Sequence, residues 1–569
     1  MGAHVPMDFD AEEASLPTLT RRRLIQLSAV SAAAIACQPV APASPSESAA
    51  PTSAARKGGT LRTSTLGGLP KVLHPYPEPQ NNTTPAADAN NLIWANLLSI
   101  DYDKTLDWRA DPKRDLAKDL PKISADGKTF TFTLRDDIKW SDGKPITSAD
   151  FQFAWDQASK KENNWVSLTT VVDRISSFKT PDAKTVEVTL KEQLARFLAL
   201  NIAAAIAPMP RQVWEGKPWL DATANPEVLK PSVVPGPYVI KEITAERATY
   251  ARNPNWWGKA PNLDEVSFIG ANPNTVLELL NTKQVEWAQS FPPAQYAQAK
   301  TIPHATVYEW SGATGSYRVM QFNLDRPNIK DKKFREALAR SIRRDDLLQF
   351  EENLAVPQYG FYTNGSKWKF DGAEKYEFDL AKAKQLLTDA GYKLDAGVLK
   401  DSAGKAVKID VLWPTTSAPR GKIATYAQQQ WKQLGIDAVV TGMEFNAFVD
   451  RYQRQRDFDI AMGSFSAGLD PDGVTSQIQT GGSQNANGYS NKRVDELLPL
   501  GAKEQDDAKR KTIYDEIQKL VMDDLANYYM ITLKNFTAFD KKVKDIVPFK
   551  GGDILRQNNL QVIDWWLEA

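Results

Sequence analysis

The chain reads as a mixed α/β protein on three observations. Short stretches alternate apolar and polar residues, as in Phe130-Thr131-Phe132-Thr133-Leu134 and Thr185-Val186-Glu187-Val188-Thr189-Leu190, the period of a half-buried strand. Longer stretches over 331–348, 379–390 and 422–434 repeat apolar residues at helical spacing. The last of these runs through Gly435-Ile436 into Ala438-Val439-Val440, a helix-to-strand unit of the kind that builds an α/β lobe.

Taken in order, Gly58 to Thr65 alternates into an opening strand, and 89–98 reads as a short helix. The 130–134 strand lies between two turns, Ala125-Asp126-Gly127-Lys128 and Ser141-Asp142-Gly143-Lys144. Ser148-Ala149-Asp150 opens a helix through Phe151, Phe153 and Trp155, with Ser148 as the expected N-cap. The 379–390 helix closes on Gly391, a natural position for a left-handed C-terminal residue. A long late helix is expected over 503–522. At 569 residues, and roughly 150 residues per domain, the length corresponds to three or four folded units. No internal repeat is present.

The N-terminus reads as an export signal. Residues 1–16 are polar and acidic; Arg21-Arg22-Arg23 then precedes the apolar, small-residue run 27–36, which ends at Cys37. That run is far shorter than the ~18 apolar residues a spanning helix needs. Paired arginines before such a run resemble the twin-arginine export signal. Ala34-Ile35-Ala36-Cys37 resembles a bacterial lipobox, with alanine where leucine is usual, so Cys37 is the expected lipidation site. The alternative is a plain secretory signal cut at an A-x-A-like site. Residues 38–57, rich in proline, serine and alanine, read as a flexible tether. The expected location is therefore extracytoplasmic, with the body periplasmic or held at the cell membrane through the lipid alone.

Composition narrows the function. Lysine plus arginine equals aspartate plus glutamate, 70 against 70, and removing 1–36 leaves 67 basic and 66 acidic residues. Nucleic acid as the main partner needs a basic excess that is missing. One cysteine excludes an intrachain disulfide, and three histidines, two of them beyond the first forty residues, exclude a histidine-rich metal site. Sixteen tryptophans require either a core or a ligand to cover them.

Catalytic patterns are missing as well. The chain has no phosphate-binding G-x-x-x-x-G-K-[ST], no G-x-G-x-x-G after a strand and no H-E-x-x-H. Ser464-Phe465-Ser466-Ala467-Gly468 lacks the first glycine of a nucleophile elbow. The acidic pairs Asp136-Asp137, Asp345-Asp346 and Asp523-Asp524 read as solvated surface. No catalytic residue, metal or cofactor is expected.

Several separated segments, in one collinear order, carry a resemblance. From Leu116 to Trp155 they include the Asp126-Gly127 turn, an alternating strand ending Leu134-Arg135, the turn Trp140-Ser141-Asp142-Gly143 and a helix opening Ala149-Asp150-Phe151. Pro235-Gly236-Pro237-Tyr238 and Arg252-Asn253-Pro254-Asn255-Trp256-Trp257-Gly258 follow. Further on come Phe322-Asn323-Leu324, Phe334-Arg335-Glu336-Ala337-Leu338, Asp457-Phe458-Asp459-Ile460 and Gly488-Tyr489-Ser490-Asn491. Over roughly 58–539 the chain resembles the family 5 extracellular solute-binding proteins, the dipeptide- and oligopeptide-binding components of ABC importers.

The resemblance implies a large, class II, two-lobed periplasmic-binding-protein-like fold. Lobe I is then expected at 58–310 with an extra subdomain at about 102–219, lobe II at 315–535, and a C-terminal return to lobe I at 537–569. Hinge crossings are expected at 317–323 and 530–538. The implied function is capture of peptides for an ABC permease and its ATPase by a monomer. One departure bears on the ligand. In the family's peptide binders an aspartate pairs with the peptide amine three residues before the acidic residue of a D-P or E-P pair; here that position is Ala467. Either Asp470 or Asp472 replaces it, or the solute is an oligosaccharide or other amine-free molecule. An extracytoplasmic hydrolase is the remote alternative. Candidate ligand-binding residues are Tyr317, Asn323, Trp310, Trp413, Phe465, Ser466, Asp470 and Asp472, with Trp94 and Trp368 as further tryptophans near the expected cleft.

Overall fold

Two large mixed sheets organise the chain, and each takes strands from distant parts of the sequence. The computed structural model describes residues 58–568 apart from 67–68, 71, 79–83, 102–104, 273, 311–314 and 548–561. The expected export signal, Cys37 and the whole tether lie outside the described residues.

The seven-stranded sheet has the order Ala305–Trp310, Asn535–Asp540, Trp287–Ala288, Thr60–Leu66, Glu265–Ala271, Arg247–Arg252, Tyr238–Ile243. The opening strand Thr60–Leu66 runs parallel to Glu265–Ala271, with Thr63 opposite Phe268. The six-stranded sheet has the order Ala355–Pro357, Asn527–Leu533, Tyr317–Phe322, Ile460–Phe465, Lys408–Pro414, Asp437–Met443. These sheets are the frames of lobes I and II. The chain passes from lobe II to lobe I at Lys534, between Leu533 and Asn535. It makes the opposite passage between Trp310 and Tyr317, and Leu533 N–H donates to Ser316 O across the two passages at 2.8 Å. Tyr317–Phe322 is itself an interior strand of lobe II, so the first crossing precedes the 317–323 segment expected for it.

A separate four-stranded sheet, Lys122–Ile123, Thr129–Thr133, Thr185–Leu190, Ile175–Asp182, stands within the lobe I sequence. Its two alternating strands pair antiparallel with Phe130 opposite Val188 and Phe132 opposite Val186. All four side chains are buried on one face, as period-two alternation requires. Trp140, at the following turn, is also buried in the lobe I core.

Helix ends depart from expectation for local reasons. The helix Ser148–Ala158 is capped by Thr147, whose backbone N–H is held by the Asp150 carboxylate at 2.8 Å. The Ser148 hydroxyl instead donates to Asp182 O. The 331–348 stretch divides into Lys332–Arg340 and Arg344–Leu347, because Arg343 takes an extended backbone (φ −87°, ψ 111°). The late helix expected over 503–522 is Asp507–Asp523, and a further helix, Lys492–Lys503, precedes it across an extended Glu504. The first described helix is Thr84–Ile93. It ends where Gly236 packs on it: Gly236 N–H donates to Ile93 O at 2.8 Å, and a Cβ at Gly236 would lie 2.4 Å from the Ile93 carbonyl carbon. Only glycine allows that approach, which accounts for the glycine of Pro235-Gly236-Pro237-Tyr238.

Candidate functional site

A cavity of about 1020 Å³ lies between the lobes. Lobe I contributes Asn91, Thr170, Arg174 and Asn201, while lobe II contributes Ser316 and the segment following strand Ile460–Phe465. A second cavity of about 470 Å³ adjoins it, sharing Phe197, Leu469 and Asp470. Away from the strand crossings, the lobes also touch directly. Ala195 N–H donates to Ala502 O at 2.7 Å, Gln505 Nε2 donates to Leu194 O at 2.9 Å, and Lys503 pairs with Glu192 at 2.7 Å. The lobes that wall the cavity thus meet at these contacts as well as at the strand crossings.

The lobe II wall is a loop held from beneath. Strand Ile460–Phe465 is an interior strand, so its end is fixed and Ser466, Ala467 and Gly468 leave it directly into the cavity lining. Gly468 has φ +72°, a conformation that glycine adopts without strain. Trp368 Nε1 donates to Leu469 O at 2.9 Å, and the Tyr362 hydroxyl donates to Pro471 O at 2.7 Å. Asp470 caps the one-turn helix Pro471–Val474 by accepting Asp472 N–H at 2.9 Å.

The two carboxylates of this loop have different partners. Asp470 forms a two-pronged ion pair with Arg510 of helix Asp507–Asp523: Nη1 and Nη2 donate to Oδ2 and Oδ1 at 2.7 and 2.8 Å. The Arg510 side chain is 2% exposed, and its Nε donates to Gly501 O at 2.8 Å. Asp472 accepts the Thr475 hydroxyl at 3.0 Å on Oδ1, and its Oδ2 lies 3.3 Å from Nη2 of Arg174, which belongs to lobe I. Burial holds the Asp472 carboxyl above the ordinary carboxylate range, with Arg174 opposing and Asp470 adding to the rise.

Of the residues expected from sequence, Ser466, Asp470 and Asp472 line the larger cavity. Tyr317 does not: it is buried against Tyr529, ring centroids 5.5 Å apart, and its neighbour Ser316 faces the cavity instead. Phe465 is half-buried in the same aromatic cluster. Asn323 lies at the opposite end of the Tyr317 strand, where Nδ2 donates to Arg456 O and Phe458 O at 2.9 and 2.8 Å. Trp413 packs on the lobe II core, its ring against Gly421 and Gly442. Trp310 ends the strand beside the crossing, opposite Asn535; its side chain lies outside the described set. Trp94 is buried and donates to Leu73 O at 3.2 Å, whereas Trp368 lines the smaller cavity. Arg174 and Arg510 were not singled out by sequence, because neither stands in a motif and their partners are 298 and 40 residues away.

Two lobes, each built on its own sheet, joined by two strand crossings and lining a cavity between them, define a two-lobed solute-binding protein. Residues 111–488 match the model of the bacterial extracellular solute-binding proteins, family 5 (middle region), and the chain belongs to that family. It is similar to the dipeptide-binding protein DppE of Bacillus subtilis (strain 168), 25% identical over 532 residues, covering 88% of this chain and 93% of that protein. It is also similar to the periplasmic oligopeptide-binding protein OppA of Escherichia coli (strain K12), 26% identical over 436 residues, 70% of this chain and 76% of that one. Among solved structures, the oligopeptide-binding protein AppA from Bacillus subtilis in complex with a nonapeptide shares the fold with a TM-score of 0.74 at 21% identity, covering 91% of this chain and all of that one.

Proposed function

We propose that this solute-binding protein captures peptides between its lobes and delivers them to the permease and ATPase of an ABC importer. The carrying observation is the cavity of about 1020 Å³ walled by both lobes. Ligand pockets commonly run about 300–1,000 Å³, so this one is large, and the adjoining 470 Å³ extends it. The peptide assignment rests on the relatives' names together with this volume. Capture is by closure about the two crossings, with no chemical step on the solute and no cofactor. The chain acts as a monomer outside the cytoplasm; among the described residues no helix is long and apolar enough to cross a membrane. Cys37 is the proposed lipid attachment point, following a twin-arginine signal.

A second reading is favoured by one observation. Ala467 offers no carboxylate, and Asp470 is committed to Arg510, which supports an amine-free solute such as an oligosaccharide. Small-angle scattering of the purified body with a pool of tri- to pentapeptides, and separately with cello- and xylo-oligosaccharides, tests both. A smaller radius of gyration with peptides supports the first reading. Contraction with sugars alone selects the second. No change with any solute at saturation overturns capture by closure.

A further inference from the structure

We propose that the seam where 192–195 of lobe I meets 502–505 of lobe II limits the length of the solute, and that Gln505 is the residue that keeps it shut. The proposal rests on the peptide reading and adds a length limit to it.

The seam is built from backbone groups and one side-chain amide. Leu194 and Ala195 lie between strand Thr185–Leu190 and helix Arg196–Ala203, and both are buried. Ala195 N–H donates to Ala502 O at 2.7 Å. Ala502 stands in the last turn of helix Lys492–Lys503, where the final carbonyls have no partner within the helix, and lobe I supplies one. Gln505 Nε2 donates to Leu194 O at 2.9 Å across the seam and to Lys503 O at 2.8 Å within its own lobe. The second bond holds the amide in place whether the lobes are together or apart. The Glu504 carboxylate accepts Asp506 N–H at 2.8 Å, and Asp506 caps helix Asp507–Asp523, so the lobe II side is braced before it meets lobe I. Lys503 and Glu192 pair at 2.7 Å with side chains 49% and 52% exposed, which puts the outer edge of the seam at the surface.

The position of the seam gives it a function. Phe197, Leu469 and Asp470 line both cavities, whereas Ala195, Glu504 and Gln505 line the smaller one alone. The smaller cavity therefore runs from the larger one to the seam. A solute that ends within the two cavities leaves the seam whole. A longer one passes between Leu194 and Gln505 and forfeits the two hydrogen bonds and the ion pair, and buried backbone groups that lose a partner are costly. A mere clasp between the lobes would hold every solute alike. A length limit favours only the solutes that leave it intact.

The test is calorimetry of the full chain with a tri- to pentapeptide pool and a deca- to dodecapeptide pool, the latter about 33 Å or more when extended, on the wild type, Gln505→Ala and Gln505→Glu. Circular dichroism checks that each variant is folded. The wild type is expected to bind the short pool at least tenfold more tightly. Gln505→Ala should weaken the short pool by about twofold to tenfold, the range of one uncharged hydrogen bond, and leave the long pool unchanged. Gln505→Glu sets a carboxylate against Leu194 O and Lys503 O, so it should weaken the short pool more than Gln505→Ala does, again without loss for the long pool. Equal binding of both pools by the wild type overturns the proposal while leaving peptide capture standing. Equal weakening of both pools in the variants also overturns it and makes the seam a clasp, and so does the absence of any change. Binding of neither pool by the wild type overturns the peptide reading and this proposal together.

Discussion

Replacing Arg510 by methionine should destabilise lobe II by about 3–5 kcal/mol. Methionine keeps much of the apolar stem but removes the guanidinium that gives Asp470 two hydrogen bonds, at 2.7 and 2.8 Å, and Gly501 O a third at 2.8 Å. Each hydrogen bond to a charged group contributes roughly 1.5–3 kcal/mol, so the two to Asp470 amount to about 3–6 kcal/mol. Breaking a buried pair from one side costs about 3–5 kcal/mol, and the overlap of the two ranges is the expectation. Equilibrium urea unfolding followed by tryptophan fluorescence measures it. Asp470→Asn and the double variant complete a cycle. With both charges gone, no uncompensated carboxylate remains, so the double variant should lose about 1–3 kcal/mol less than the sum of the single losses. A cost below about 1 kcal/mol for Arg510→Met, or an additive cycle, would refute the reasoning. Asp470 would then be uncommitted and available to a solute amine.

Two further outcomes follow from other parts of the chain. His74 is buried, its Nδ1 accepting Tyr76 N–H at 3.0 Å with Trp214 and Trp219 edge-on at 4.9 and 4.6 Å, and burial pushes its pKa down from 6.5 to about 3. Between those values the unfolded chain takes up a proton that the folded one does not, so this group lowers stability as pH falls from 6.5 towards 3. Thermal unfolding of the wild type and His74→Phe at pH 7.5 and 4.5 should show a smaller acid-side loss in the variant, and parallel losses would count against it. Cys37→Ala should move the protein from the membrane fraction to the soluble or secreted fraction; unchanged fractionation would exclude a lipid anchor at that residue.

Elements whose signal is local were legible in the sequence. The strands at 129–133 and 185–190 announce themselves by alternation, and each buries the expected face. The Pro235-Gly236-Pro237-Tyr238 segment was recognisable because its glycine meets a steric need that no other residue satisfies. Where the physical cause is weak or distant, the sequence was silent. The break at Arg343 carries no glycine or proline, and the apolar period continues across it, so one helix was expected where two exist. Pro499 inside Lys492–Lys503 masked a helix for the opposite reason, since proline is a poor helix-interior residue. Tyr317 and Asn323 carry strong sequence signals, yet one is packed in an aromatic cluster and the other ties down a turn. Hydrophobic and turn signals report burial and backbone need, and neither reports which side chains face a cavity. The loop containing Ala467, Asp470 and Asp472 shows the limit most clearly. The resemblance to the family marked it as a segment expected at the ligand, and it lines the cavity. Which of its two acids is free depends on Arg510 and Arg174, brought in by a helix and by the other lobe. A chain with 70 positive and 70 negative residues has no shortage of possible partners for either acid. Pairing in three dimensions ties Asp470 to Arg510 within lobe II, whereas Asp472 meets Arg174 of the other lobe.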